Sequence, residues 1–145
     1  MLRKDARVEL LKKIPLFSEC TKKDLRAIAR ITGELKVDEG TVLIREGERG
    51  HDLYVVVRGQ LEVSRTDGGT VAFIGPGEVA GEMALLSSRP RNATVTAATE
   101  SYLLRAGDRD FLELLDRTPL LWLKVARALA DRVREDEQLE RFYRD

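Results

Sequence analysis

Cysteine, histidine and tryptophan each occur once in the 145 residues, at Cys20, His51 and Trp122. One cysteine excludes an internal disulfide and any iron–sulfur or multi-cysteine metal site. One histidine argues against a metal centre built from several imidazoles, so no metal and no cofactor are expected. Nor is there a nucleophile–base pair or a pair of acids that can be placed across a cleft, so the chain is not expected to be an enzyme. No run of about 18 apolar residues occurs, and no membrane span is expected. The N-terminus, MLRKDARVELLKK, has no apolar signal core followed by small residues, which leaves a cytoplasmic location as the expectation. Charge of one sign is also missing. Lys plus Arg and Asp plus Glu number 25 each, a formal net charge of zero. That argues against a nucleic-acid partner held by bulk positive charge.

What is present is enough chain for one domain with one proper core. Residues Arg7–Thr32 read as helical. Val8, Leu11 and Ile14 share a face, Pro15 interrupts, and Thr21 with Asp24 three residues on is an N-cap signal. Leu25, Ile28, Ala29 and Thr32 line the second face, and Gly33 is expected to end it. From Glu34 the period changes to two. Leu53–Val57 is a continuous apolar run fit for a strand buried on both faces. Asp67-Gly68-Gly69 is a hairpin signal. About eight short strands separated by turn residues predict an antiparallel β-roll, a jelly-roll-like barrel. After Gly107 the helical period returns, with Asp108 as expected N-cap and Pro119 at a first helical position. Trp122, Val125, Ala126, Leu129, Ala130 and Val133 then form a stripe on a helix of roughly 25 residues, near 35 Å long. Its far end is a dimer seam or a lid.

The stretch Gly77–Val95, GEVAGEMALLSSRPRNATV, carries the chemistry. Glu82 follows Gly81 at what reads as the first turn of a helix, where backbone N–H groups lack internal acceptors and form an anion site. Arg91, after Pro90, can return a guanidinium to the same place, a charge-assisted pairing for a phosphate. An acid beside a phosphate site makes sense where the ligand also offers hydroxyl donors, as a phosphorylated sugar does.

In this order the chain, over about Val8 to Val133, resembles cyclic nucleotide-binding domains. These occur in regulatory subunits of cAMP-dependent protein kinase, cyclic-nucleotide-gated channels and bacterial catabolite activator proteins. The most specific part is Gly81-Glu82-Met83-Ala84-Leu85-Leu86 followed by Pro90-Arg91-Asn92-Ala93-Thr94-Val95, which is similar to the family's phosphate-binding cassette, here residues 81–95. The resemblance implies an α+β domain: helices over 1–33, an eight-stranded antiparallel β-roll over 34–106, and two C-terminal helices over 107–145. It implies that Glu82 accepts from the ribose 2′-hydroxyl, that Arg91 pairs with the cyclic phosphate, and that the amides of Ala84 and Leu85 cap it. Gly81, Met83, Asn92 and Ala93 belong to the same cassette, and Val71, Val79 and Leu61 are candidates for apolar residues near the base. Asn92 departs from the pattern: cAMP-selective kinase sites commonly have Ala there, and many cGMP-selective sites Thr. The expected ligand is cAMP, with cGMP the other candidate. The expected function is a sensor whose C-terminal helices move on binding and whose output reaches an effector protein or a homodimer through the last helix. The alternative is an interaction or dimerisation module with the same fold and no ligand.

The remaining singular residues carry plainer readings. Cys20 is expected to pack beside the Pro15–Phe17 turn, and His51 to lie on the surface. Trp122 is expected to pack in the core or a dimer, with base stacking as the other role; Phe142 and Tyr143 are further candidates to cap the base. The mixed charge runs Arg132–Glu137 and Arg141–Asp145 read as solvated faces.

Overall fold

A computed structural model describes residues 2–50, 52–82 and 90–144, with the side chains of the last helix described as far as Asp131. Among the described residues four α-helices, α1 (Lys4–Lys12), α2 (Lys22–Arg30), α3 (Asp108–Arg117) and α4 (Pro119–Arg144), flank eight strands: β1 (Gly33–Val37), β2 (Val42–Ile44), β3 (Asp52–Arg58), β4 (Leu61–Arg65), β5 (Gly69–Ile74), β6 (Val79–Ala80), β7 (Thr94–Ala97) and β8 (Ser101–Gly107). The strands form two four-stranded antiparallel sheets, in the orders β1-β8-β3-β6 and β2-β7-β4-β5. The α+β roll expected from the period-two pattern is thus the observed architecture.

The core has two parts. Leu61, Val95 and Ala97 meet Val56, Ala80 and Leu103 between the sheets. On the other side of the first sheet, Leu53, Val55 and Leu104 pack with α1, α2, α3 and α4. Because β3 serves both, Leu53, Tyr54, Val55 and Val56 are all buried, which is why its sequence runs apolar without alternation. Phe17 and Phe111 stack at 6.1 Å between ring centroids and join the N-terminal segment to α3.

Several expected boundaries move. The helical span from Arg7 to Thr32 is three pieces, with a single 3-10 turn at Pro15–Phe17 between α1 and α2. Thr21 does cap α2, in a reciprocal capping box with Asp24. Gly33 does not end that helix. Thr32 turns its backbone N–H and its hydroxyl onto the Ala29 carbonyl, α2 stops at Arg30, and Gly33 opens β1. The N-cap of α3 is Gly107, and Asp108 is the first helical residue, where an acid still favours the helix dipole. On α4 Val125 and Leu129 of the expected stripe are buried, but Leu121 takes the buried place expected for Trp122, which is 43% exposed and outside the core.

Candidate functional site

The site is assembled from three chain segments that meet at one edge of the roll. The first is the β2–β3 connection. Its Gly47 N–H donates to the Arg91 carbonyl (2.8 Å), and the Arg91 N–H donates to the Glu48 carbonyl (2.9 Å). The second is the start of β7, where the Glu46 N–H donates to Thr94 Oγ1 (3.0 Å). These bonds fix the backbone of Arg91 against the 46–48 loop. The third is the end of β6, where Gly81 turns with φ +92°.

Arg91 is a buried cation, 9% exposed. Its Nη2 donates to the Asp52 carbonyl (2.8 Å) and its Nη1 to the Gly81 carbonyl (3.3 Å). Nε–H is buried and has no hydrogen-bond partner among the described residues. Burial pulls the guanidinium pKa down, and the neighbouring Tyr54, Asp52, Asp108 and Glu82 only partly offset it. A desolvated cation with an orphaned donor is a group that an anion stabilises. The cradle depends on two glycines. A Cβ at Gly50 would fall on Nε and Cζ of Arg91, and one at Gly81 would lie 2.8 Å from both Nη1 and the Asp52 carbonyl.

Glu82 is 6% exposed, close enough to Arg91 for its charge to be felt there. It also lines a cavity of about 270 Å³ with Pro15, Leu16 and Val79 on one side and Ala128 and Asp131 of α4 on the other. The acid expected to read a sugar hydroxyl therefore faces the last helix. Tyr54, one strand repeat from Asp52, sends its hydroxyl toward Asp52 Oδ2 (3.4 Å); burial first, then that carboxylate, raises its pKa.

Of the expected site residues, Gly81, Glu82 and Arg91 come together. Ala93 is buried behind Arg91, and exposed Asn92 lines a groove with Arg91, Arg65 and Thr66. Val79 is buried at the Glu82 cavity. Val71 is 48% exposed on the edge strand β5, which is exposed along its length from Gly69 to Phe73. Met83, Ala84, Leu85 and His51 lie outside the described residues, as do the side chains of Phe142 and Tyr143. Gly50 and the Asp52 carbonyl were not singled out from the sequence; a loop glycine and a backbone oxygen leave no signal there.

Among the described residues two ion pairs hold α4 to the N-terminal segment, Lys124 Nζ to Asp24 Oδ2 of α2 at 2.9 Å and Arg127 Nη1 to Glu19 Oε1 of the turn before it at 3.8 Å. Burial alone would raise the Asp24 carboxyl; the hydrogen bonds from Lys124 and Thr21 outweigh it and hold the group below its ordinary value. Cys20 sits beside this pair. Burial, with the Asp24 charge adding to it, pushes its thiol up to about 11, so it stays protonated and unreactive at neutral pH.

Comparison with known proteins decides what this arrangement is. Residues 34–118 match the model of the cyclic nucleotide-binding domain. The chain belongs to the cyclic nucleotide-binding domain family. It is 38% identical over 101 residues to the cyclic AMP receptor protein of Thermus thermophilus, a match covering 67% of this chain and 47% of that one. It is 37% identical over 106 residues to the cAMP-dependent protein kinase regulatory subunit of Yarrowia lipolytica, covering 72% and 28%. Among solved structures it resembles the N-terminal domain of a transcriptional regulator from Streptomyces coelicolor (TM-score 0.77, 32% identity, 90% of this chain and 94% of that one). It also resembles the regulatory domain of Toxoplasma gondii PKA with cAMP (TM-score 0.72, 35% identity, 77% and 44%). The domain thus spans about half or less of the curated relatives it matches. The fold is that of a cyclic nucleotide-binding regulatory domain. No helix among its described residues is long and apolar enough to cross a membrane.

Proposed function

We propose that this chain is a ligand sensor that binds cAMP in preference to cGMP, without turning it over, and reports occupancy through α4. The observation that carries the reading is the buried guanidinium of Arg91, held by two neutral carbonyls, with Nε–H unpartnered among the described residues. A cyclic phosphate supplies one negative charge and acceptor oxygens, which answer both the desolvated charge and the orphaned donor. Glu82 supplies the acceptor for a ribose hydroxyl, and the amides that follow it cap the phosphate. The likeness to proteins whose names specify cAMP supports the choice of base.

The link to α4 rests on shared walls. Glu82 and α4 residues Ala128 and Asp131 line one cavity, while Lys124 and Arg127 hold α4 on the N-terminal helices. A ligand that recruits Glu82 changes that cavity and shifts the balance between held and released α4, so binding and helix position are one equilibrium. The test is a calorimetric titration with cAMP and with cGMP. Saturable binding with cAMP the tighter ligand is expected. No heat with either at millimolar concentration would leave only a module that keeps the fold without a ligand.

A further inference from the structure

Nucleotide binding does not account for a groove of about 850 Å³ in the elbow between α3 and α4. Its floor is apolar: Leu112 and Leu115 of α3, Pro119 and Trp122 of α4. Six large apolar side chains are exposed among the described residues, and four of them, Leu112, Leu120, Trp122 and Leu123, are on α3 and the first turns of α4. Leu120 is 70% exposed. Such clustering marks an interaction surface where scattered single residues would not. Trp122, large and half-exposed in a concave place, is the type of residue that anchors an interface.

The rim gives the occupant its charge. Asp108, Glu113 and Asp116 line the groove against a single base, Arg109. A surplus of carboxylates repels nucleic acid and anionic lipid and favours Lys or Arg. A groove between two helices, apolar below and acidic at the edge, takes a third helix with an apolar stripe flanked by bases. We propose that the α3–α4 elbow docks a basic amphipathic helix of an effector protein.

The groove is wired to the ligand site through the backbone. Gly107, the N-cap of α3, pairs in register with Asp52, whose carbonyl holds Arg91 Nη2. A ligand that draws Arg91 off this carbonyl loosens the strand end from which α3 springs. This coupling rests on the nucleotide reading; the docking site does not.

Trp122 is the only tryptophan, so its emission reports the groove directly. The probes are two synthetic 16-residue helices with the same leucine stripe, one flanked by lysines and one by glutamates. The lysine peptide should shift Trp122 emission to the blue, saturably and more weakly at high salt, and the glutamate peptide should not. Glu113→Lys with Asp116→Lys should invert the preference by roughly tenfold, the scale of two partly exposed ion pairs. Equal response to both peptides, or to neither, would overturn the proposal. So would a blue shift that follows protein concentration alone, with sedimentation as a dimer, because a second copy then covers the groove. A blue shift on anionic vesicles in place of the lysine peptide would overturn it too. Calorimetry with cAMP on the same samples separates the two readings: peptide binding without cAMP binding keeps the docking site and removes the sensor.

Discussion

Gly81 and Gly40 make a matched pair of perturbations. Both take φ near +90°, at +92° and +89°. Substituting alanine at either forces a side chain into a backbone region that costs about 1–3 kcal/mol. At Gly40 that is all, since a Cβ there meets nothing within 4 Å. At Gly81 the Cβ lies 2.8 Å from the Asp52 carbonyl and from Arg91 Nη1. The carbonyl belongs to β3 and cannot withdraw, so the guanidinium must leave its seat. Both variants should therefore melt lower, by about 2–4 °C per kcal/mol for a chain of this size. Only Gly81→Ala should also lose cyclic nucleotide affinity, by about 1.5–3 kcal/mol, the worth of a hydrogen bond to a charged group. That is roughly ten- to hundredfold in Kd. Thermal melts give the first quantity and calorimetry with cAMP the second. Equal cAMP affinity in Gly81→Ala and Gly40→Ala would refute the idea that Gly81 is there to seat Arg91.

Further expectations concern the ribose, the α4 clamp and the core. 2′-Deoxy-cAMP should bind the native chain more weakly than cAMP, and the gap should nearly vanish in Glu82→Ala, as a double-mutant cycle requires; a full gap in the variant would show that Glu82 does not read the ribose. Because the folded pKa of Asp24 is depressed, its contribution to stability is complete above the ordinary carboxyl value and is lost as pH falls through the lowered one. Asp24→Asn should thus be less stable than native at pH 7 in urea titrations, with the difference shrinking below about pH 4; a constant difference would contradict it. The same variant should bind cAMP somewhat more tightly if release of α4 accompanies binding, and weaker binding would contradict that motion. Phe111→Ala, which empties a fully buried site stacked on Phe17, should cost about 3–5 kcal/mol by urea unfolding.

The parts of this domain that were legible in the sequence are those set by local chemistry. Thr21 and Asp24 form their capping box within four residues, and the unbroken Leu53–Val56 run follows from a strand with a core on each face. That Glu82 lies near Arg91 was legible because both charges stand in one contiguous stretch. What was missed depends on contacts across the chain. Lys124 and Asp24 are 100 residues apart, and no periodicity couples them. The first member of the α4 stripe was misassigned because Trp122 is as apolar as Leu121, while Val125 and Leu129 are buried as expected. Which of the two is buried depends on how α4 meets the N-terminal helices. Val71 is exposed with the rest of the edge strand β5, a place in the sheet that a two-residue period does not reveal. Gly50 was invisible for the same reason: its use is to lie under a guanidinium from residue 91.

Calorimetric titration of cAMP into the native chain and into Arg91→Ala tests the central claim most directly. The proposal that this guanidinium is the anion receptor rests on its Nε–H, unpartnered among the described residues, and on its two carbonyl-bound nitrogens. Native protein should bind saturably, and Arg91→Ala should lose about 1.5–3 kcal/mol or more while remaining folded by circular dichroism. Unchanged affinity in a folded Arg91→Ala would contradict the account.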